Sequence, residues 1–143
     1  MSEVTAAIIQ SSFLPWKGYF DLVHRADRFV FLDDVQYTLR DWRNRNRIKG
    51  VHGSTRWLTV PVLGGRHQLI REALIDYSTP WVRKHKRSLE QVYRHTPYFD
   101  RYFPEVAAVY DRGFDRLSQL NQAFIALIAS WLGIQTPLVD SSN

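Results

Sequence analysis

Two short apolar, β-branched runs near the amino terminus constrain the fold most: residues 5–9 (TAAII) and 28–32 (RFVFL), each followed by polar residues. Continuous apolar runs of this length read as strands buried on both faces. Residues 18–26 between them are long enough for one helix, with Leu22, Val23 and Ala26 on its inner side. This order predicts two parallel neighbours joined by a right-handed crossover. Ligands in such units sit at the carboxyl ends of the strands. Those ends are residues 10–16 and 33–36, so two polar clusters are expected on one rim.

The periodicity then changes along the chain. Trp57, Thr59 and Pro61 alternate with Leu58, Val60 and Val62, a strand pattern in which Pro61 marks an edge or an end. Gly64 and Gly65 turn the chain, and the apolar pairs of residues 69–77 favour a further strand. Ser78 or Thr79 as cap and Pro80 in the first turn open a helix on which Trp81, Leu89, Val92 and Tyr93 recur at helical spacing. Pro97 ends or restarts it. A second helix is predicted over 98–110 and a third over 115–132, where Leu117, Leu120, Phe124, Leu127, Ile128 and Trp131 form an apolar stripe before Gly133. Residues 136–140 fit one more strand. With no repeat and no linker, residues 1–143 are expected to form a single α/β domain, a parallel sheet flanked by helices with a helical carboxyl-terminal half.

Aromatic content of 14% within 45% hydrophobic residues supplies a core for such a domain. Without cysteine there is neither a disulfide framework nor thiolate chemistry. The opening MSEVTAAIIQ has neither a basic region nor a long apolar run, which predicts a cytoplasmic location. The longest apolar stretch, 123–134, is interrupted by Ser130 and falls short of the ~20 residues of a membrane span. Charge is unevenly placed. Arg40, Arg43, Arg45, Arg47, Lys49 and Arg56 face one carboxylate, Asp41, within residues 40–56, while the rest of the chain balances 13 basic against 13 acidic residues. The entire net charge of +5 therefore resides there.

In extended chain Arg43, Arg45 and Arg47 would share one face, with Asn44 and Asn46 on the other. Arginine forks bind phosphate and asparagine reads hydroxyls, so this stretch, with Trp42, Lys49 and Gln36 nearby, fits a phosphorylated sugar or nucleotide. A solvated basic loop is the plain alternative. Asp33 and Asp34 follow the second strand, where one carboxylate can orient a sugar hydroxyl, hold Mg²⁺ beside a diphosphate or act as a general base. Neighbours on an extended segment point opposite ways, which predicts one functional and one structural carboxylate, unless both only cap the next segment. Lys84 and His85 lie in a second basic patch, with His85 a candidate acid/base group. No histidine pair has zinc-site spacing, so no metal centre is predicted.

The strings AIIQSSFLPWKGYFDLV, RFVFLDDVQYTLRDWRNRNRIK, WLTVPV and WVRKHKRSLEQVYRHTPYF, in this order over nearly the whole chain, resemble the WbqC-like family. That family is known chiefly from bacterial polysaccharide gene clusters. The resemblance implies a part in surface-polysaccharide (O-antigen) or glycoconjugate assembly, and a carboxyl-terminal extension beyond residue 143. The placing of Trp16, Lys17, Gly18 and Tyr19 is also similar to the histidine, any residue, glycine, histidine motif of Rossmann-like adenylyl-type nucleotidyltransferases. Trp16 and Tyr19 stand where those enzymes carry histidines and cannot supply a protonated imidazole. They can stack on a base or sugar and bond a phosphate, or simply staple loop to helix.

Three functional readings follow. One is a group transferase on a nucleotide-activated or phosphorylated sugar: Arg43, Arg45 and Lys49 bind phosphate. Asn44, Asn46 and Gln36 bind sugar, Gln10 and Lys84 are further ligand-binding candidates, and Asp33 or Asp34 is the base. The second is a nucleic-acid-binding module using residues 40–56, which the neutral remainder of the chain disfavours. The third is a non-catalytic sugar-nucleotide-binding scaffold.

Overall fold

The computed structural model describes residues 3–142. Strand β1 (Ala6–Ile9), helix α1 (Lys17–Arg25) and strand β2 (Arg28–Phe31) form the expected unit, and Ile8 pairs with Val30 in parallel register. An antiparallel hairpin follows, β3 (Arg45–Lys49) and β4 (Thr55–Thr59). Three helices come next: α2 (Trp81–Tyr93), α3 (Phe99–Asp111) and α4 (Leu117–Trp131). The chain then returns to the parallel sheet as β5 (Leu138–Asp140), giving the order β1-β2-β5. The fold is mixed α/β, with a small parallel sheet and four helices.

Helices cover that sheet on one face only. Tyr19, Phe20 and Val23 of α1 and Ile125 of α4 pack on Phe29 and Phe31. The other face carries Ile8, Val30 and Val139 in one register row, and Ile8 is 57% exposed. The expectation that β1 is buried on both faces is therefore corrected. So is the inner position of Leu22: α1 presents Tyr19, Phe20 and Val23, and Leu22 is exposed.

A second core lies between the hairpin and the carboxyl-terminal helices, where Phe13, Tyr37, Leu58, Val60, Trp81 and Phe124 are buried together. Helix α4 serves both cores, turning Leu117, Leu120 and Phe124 to one and Ile125 to the other. Full burial of a side chain such as Phe124 contributes about 2–3 kcal/mol, so this helix locks the two halves together.

Two local expectations fail. Residues 69–77 form no strand: a 3₁₀ turn at Ile70–Glu72 is flanked by single bridges from Leu69 to Gln36, Leu74 to Arg116 and Ile75 to Val62. Three different partners cannot build one ladder. Neither Ser78 nor Thr79 caps α2. Pro80 holds the N-cap position, without a side-chain cap.

Candidate functional site

The carboxyl ends of the parallel strands meet as expected. The Ser11 N–H after β1 donates to Asp33 Oδ1 after β2 at 2.8 Å. The Gln122 side chain of α4 donates to Asp33 Oδ2 at 3.0 Å and to Asp140 Oδ2 at 2.8 Å. Asp33 is fully buried, and both of its carboxylate oxygens are occupied. It ties β1, β2 and α4 together, a structural role. Asp34 points the other way, is exposed, and among the described residues accepts only the Ser141 hydroxyl, at 2.8 Å through Oδ1. Period-two alternation thus separates the pair into one orienting and one accessible carboxylate. Burial pushes the neighbouring Asp140 carboxyl up, but hydrogen bonds from Ser142 and Gln122 and the Arg71 charge outweigh it and hold the group below its ordinary value.

Beside this rim, between β1, the start of α1 and the segment before β3, lies a pocket of about 360 Å³. Its walls include Ser12, Trp16, Tyr19, Trp42, Arg43 and Asn46. Gly18 decides the position of Trp16: a Cβ there would collide with the indole, so only glycine lets the ring fold back over α1. The Tyr19 hydroxyl donates to the Gln10 carbonyl at 3.0 Å. Burial, reinforced by the Asp33 charge and opposed by Arg43, pushes this phenol up, so it stays protonated. Arg43 turns inward, with its side chain 14% exposed, and donates to the Ser11 carbonyl at 3.2 Å. Its nearest carboxylate, Asp41, is 3.7 Å away.

Backbone strain sits at the same place. Leu14 adopts φ of 44°, the left-handed region that branched residues avoid. The Asn46 amide holds it there by donating to the Leu14 carbonyl at 2.6 Å and to the Phe13 carbonyl at 3.3 Å. The Phe13 N–H in turn donates to the Trp42 carbonyl at 3.0 Å. The loop that forms the pocket wall is fastened before any ligand arrives.

Other predicted site residues lie elsewhere. The Asn44 amide donates to the Val60 carbonyl at 2.9 Å, closing the base of the hairpin instead of facing a ligand. Arg43 precedes β3, so the residues sharing one strand face are Arg45, Arg47 and Lys49. Arg45 and Arg47 lie over the Trp57 ring, at 4.4 and 5.2 Å, and Trp57 stacks with Trp42. Lys49 ends the strand away from the rim pocket, and Gln36 borders a separate depression with His67 and Glu72.

His85 is buried on α2, where one ring nitrogen lies 3.0 Å from the Thr59 carbonyl and the other 3.2 Å from the Tyr110 hydroxyl. A carbonyl only accepts, so Nε2 carries the hydrogen and Nδ1 accepts from Tyr110. Burial, against the opposing Thr59 hydrogen bond, pushes this imidazole down to about 4. With both nitrogens engaged, His85 joins hairpin to helix and has no nitrogen left for acid/base work. Lys84, one residue earlier, borders a different groove.

The sequence reading missed Ser11, Asn121, Gln122 and Asp140. Asn121, fully buried, donates to the Arg43 carbonyl at 2.9 Å and lies 3.4 Å from Ser11 Oγ. A signal for it exists: an amide at 121 lies on the stripe of Leu117 and Phe124, where only a bonded polar group is tolerated. Among the described residues, no group of three or more His, Cys, Asp or Glu side chains gathers as a metal site, and no helix is long and apolar enough to cross a membrane.

Comparison with known proteins agrees with this reading at the level of family. No solved structure matches the chain. It is 48% identical over 138 residues to the uncharacterized protein Rv1507c of Mycobacterium tuberculosis (strain ATCC 25618 / H37Rv), a match that covers 94% of this chain and 59% of the relative. The chain thus spans about three fifths of the length of that relative. The model of the WbqC-like protein family matches residues 10–143, most of the strand, pocket and helix framework described above, and the chain belongs to that family.

Proposed function

We propose that the rim pocket binds a nucleotide-activated or phosphorylated sugar and that the protein is a group transferase of bacterial surface-polysaccharide or glycoconjugate assembly. One observation carries this reading: a fastened pocket at the strand ends combines Trp16, Tyr19 and Trp42 with the inward-turned Arg43. Aromatic walls suit a base or sugar ring, and a guanidinium pairs two-pronged with phosphate. The start of α1 adds backbone N–H groups that favour negative charge. Asp34, exposed beyond the end of β2 and held by the Ser141 hydroxyl after β5, is the carboxylate free to take a proton from an acceptor hydroxyl. A diphosphate that brings Mg²⁺ needs only one or two carboxylates, and Asp34 is the accessible one. The parallel β1-β2-β5 order supports a Rossmann-like, nucleotidyltransferase-type origin, with Trp16 and Tyr19 serving binding in place of histidine chemistry.

A thermal-shift and calorimetric screen against nucleotide sugars tests this. A shift lost in Arg43→Gln and kept in Asp34→Asn, with turnover lost in Asp34→Asn, is the expected result. Binding without turnover in the unmodified chain would replace the transferase by a scaffold, and the absence of binding to any nucleotide or sugar phosphate would refute the site.

A further inference from the structure

A cavity of about 600 Å³ lies away from the rim, along the β4 strand where α2 packs against it. Helix and strand are tied at two points. His85 Nε2 donates to the Thr59 carbonyl, and Arg56 donates to Gln91 Oε1 at 2.9 Å and to Ser88 Oγ at 3.3 Å. The groove is thus a built feature, not a gap between loose elements.

Its charge is one-sided. Arg56, Lys84 and Arg87 border it, and no Asp or Glu does. The ion pairs among the described residues join Arg25 to Asp21, Arg43 to Asp41 and Lys86 to Asp111, so none of the three groove cations has a carboxylate partner. Three exposed cations along one groove attract an anion. The remaining wall is polar and aromatic. Thr59, Thr79 and Ser88 offer hydroxyls, and Trp81, nine-tenths or more buried, has an indole N–H with no acceptor among the described residues. Cations for an acid group and hydroxyls for hydroxyls together describe a polyhydroxylated anion.

We propose that this groove is a second binding site, for an acidic saccharide bearing a carboxylate or phosphate. Its service as the acceptor site rests on the rim pocket holding the activated sugar, whereas the binding itself does not. A single nucleic-acid strand is the less favoured occupant. It needs cations spaced along a backbone and open aromatic faces, and here the Trp57 ring is already engaged by Arg45 and Trp42.

Calorimetry on the full chain tests the assignment, with a hyaluronan tetrasaccharide, glucose 6-phosphate, inorganic phosphate, maltotetraose and an oligothymidylate as probes, at about 50 and about 200 mM salt. At least one acidic saccharide should bind about tenfold more tightly than inorganic phosphate and maltotetraose. The Lys84→Gln/Arg87→Gln double variant, altered only at exposed side chains, should lose about tenfold of that affinity, and Arg43→Gln should lose none of the affinity for the hyaluronan tetrasaccharide. Equal binding of maltotetraose, no loss in the double variant, or no saturable binding of either acidic saccharide overturns the proposal. So does tightest binding of the oligothymidylate with a steep salt dependence. Nucleotide-sugar binding that survives the double variant but not Arg43→Gln keeps failure of the groove distinct from failure of the rim pocket.

Discussion

Acidification should destabilise this protein through His85. Its imidazole, buried between α2 and the hairpin, is held neutral with a pKa of about 4 against an ordinary value of 6.5. Between those values the unfolded chain binds a proton that the folded chain refuses, so stability rises with pH across that window and is flat above it. The full gap corresponds to about 3 kcal/mol. From about pH 7 to about pH 5 the loss is about 2 kcal/mol, near 6 °C in melting temperature for a chain of this size. Urea unfolding at the two pH values, in the natural chain and in His85→Gln, isolates the effect. Carboxylates and the exposed histidines contribute equally to both proteins, whereas the glutamine side chain of the variant cannot titrate. The natural chain should lose about 2 kcal/mol more than the variant. Equal losses would refute the buried neutral imidazole and with it the structural role given to His85.

Asp33→Asn should cost about 2–3 kcal/mol, because its new NH₂ must face either the Ser11 N–H or the Gln122 amide, both donors; Asp34→Asn should stay within about 0.5 kcal/mol in the same denaturant titration. Gly18→Ala should leave stability unchanged or raise it by up to about 1 kcal/mol, since alanine favours helix, while weakening nucleotide-sugar binding as the Trp16 ring is displaced; melting and calorimetry read the two effects separately. Asn46→Ala should destabilise by about 1–2 kcal/mol and weaken ligand binding as well, because it releases the strained Leu14 turn. Ile8→Ser, on the open sheet face, should cost less than about 1 kcal/mol in this chain, against about 3–5 kcal/mol for Phe124→Ala in the core.

Much of the framework was legible in the residues because it rests on local rules. Apolar runs at 5–9 and 28–32 gave strands, and the stripe from Leu117 to Trp131 gave α4 almost to its ends. The meeting of residues 10–16 with 33–36 followed from the parallel unit alone, and the Ser11–Asp33 hydrogen bond is its realisation. Residues 69–77 were misread because their apolar pairs serve three partners at once, a choice no local window contains. The asparagines of the basic segment were read as sugar ligands, yet their amides bond backbone carbonyls of loops distant in sequence.

What the sequence determined by itself, then, is whatever depends on neighbours in the chain: strand and helix placement, the opposite directions of Asp33 and Asp34, and the confinement of the net positive charge to residues 40–56. The tertiary structure alone decided which of these groups stay free to act. Gln122 reaches Asp33 across 89 positions, Asn121 reaches Ser11 across 110, and Thr59 and Tyr110 occupy both nitrogens of His85. Most buried polar groups find a partner, and which one each finds depends on packing between elements far apart in the chain.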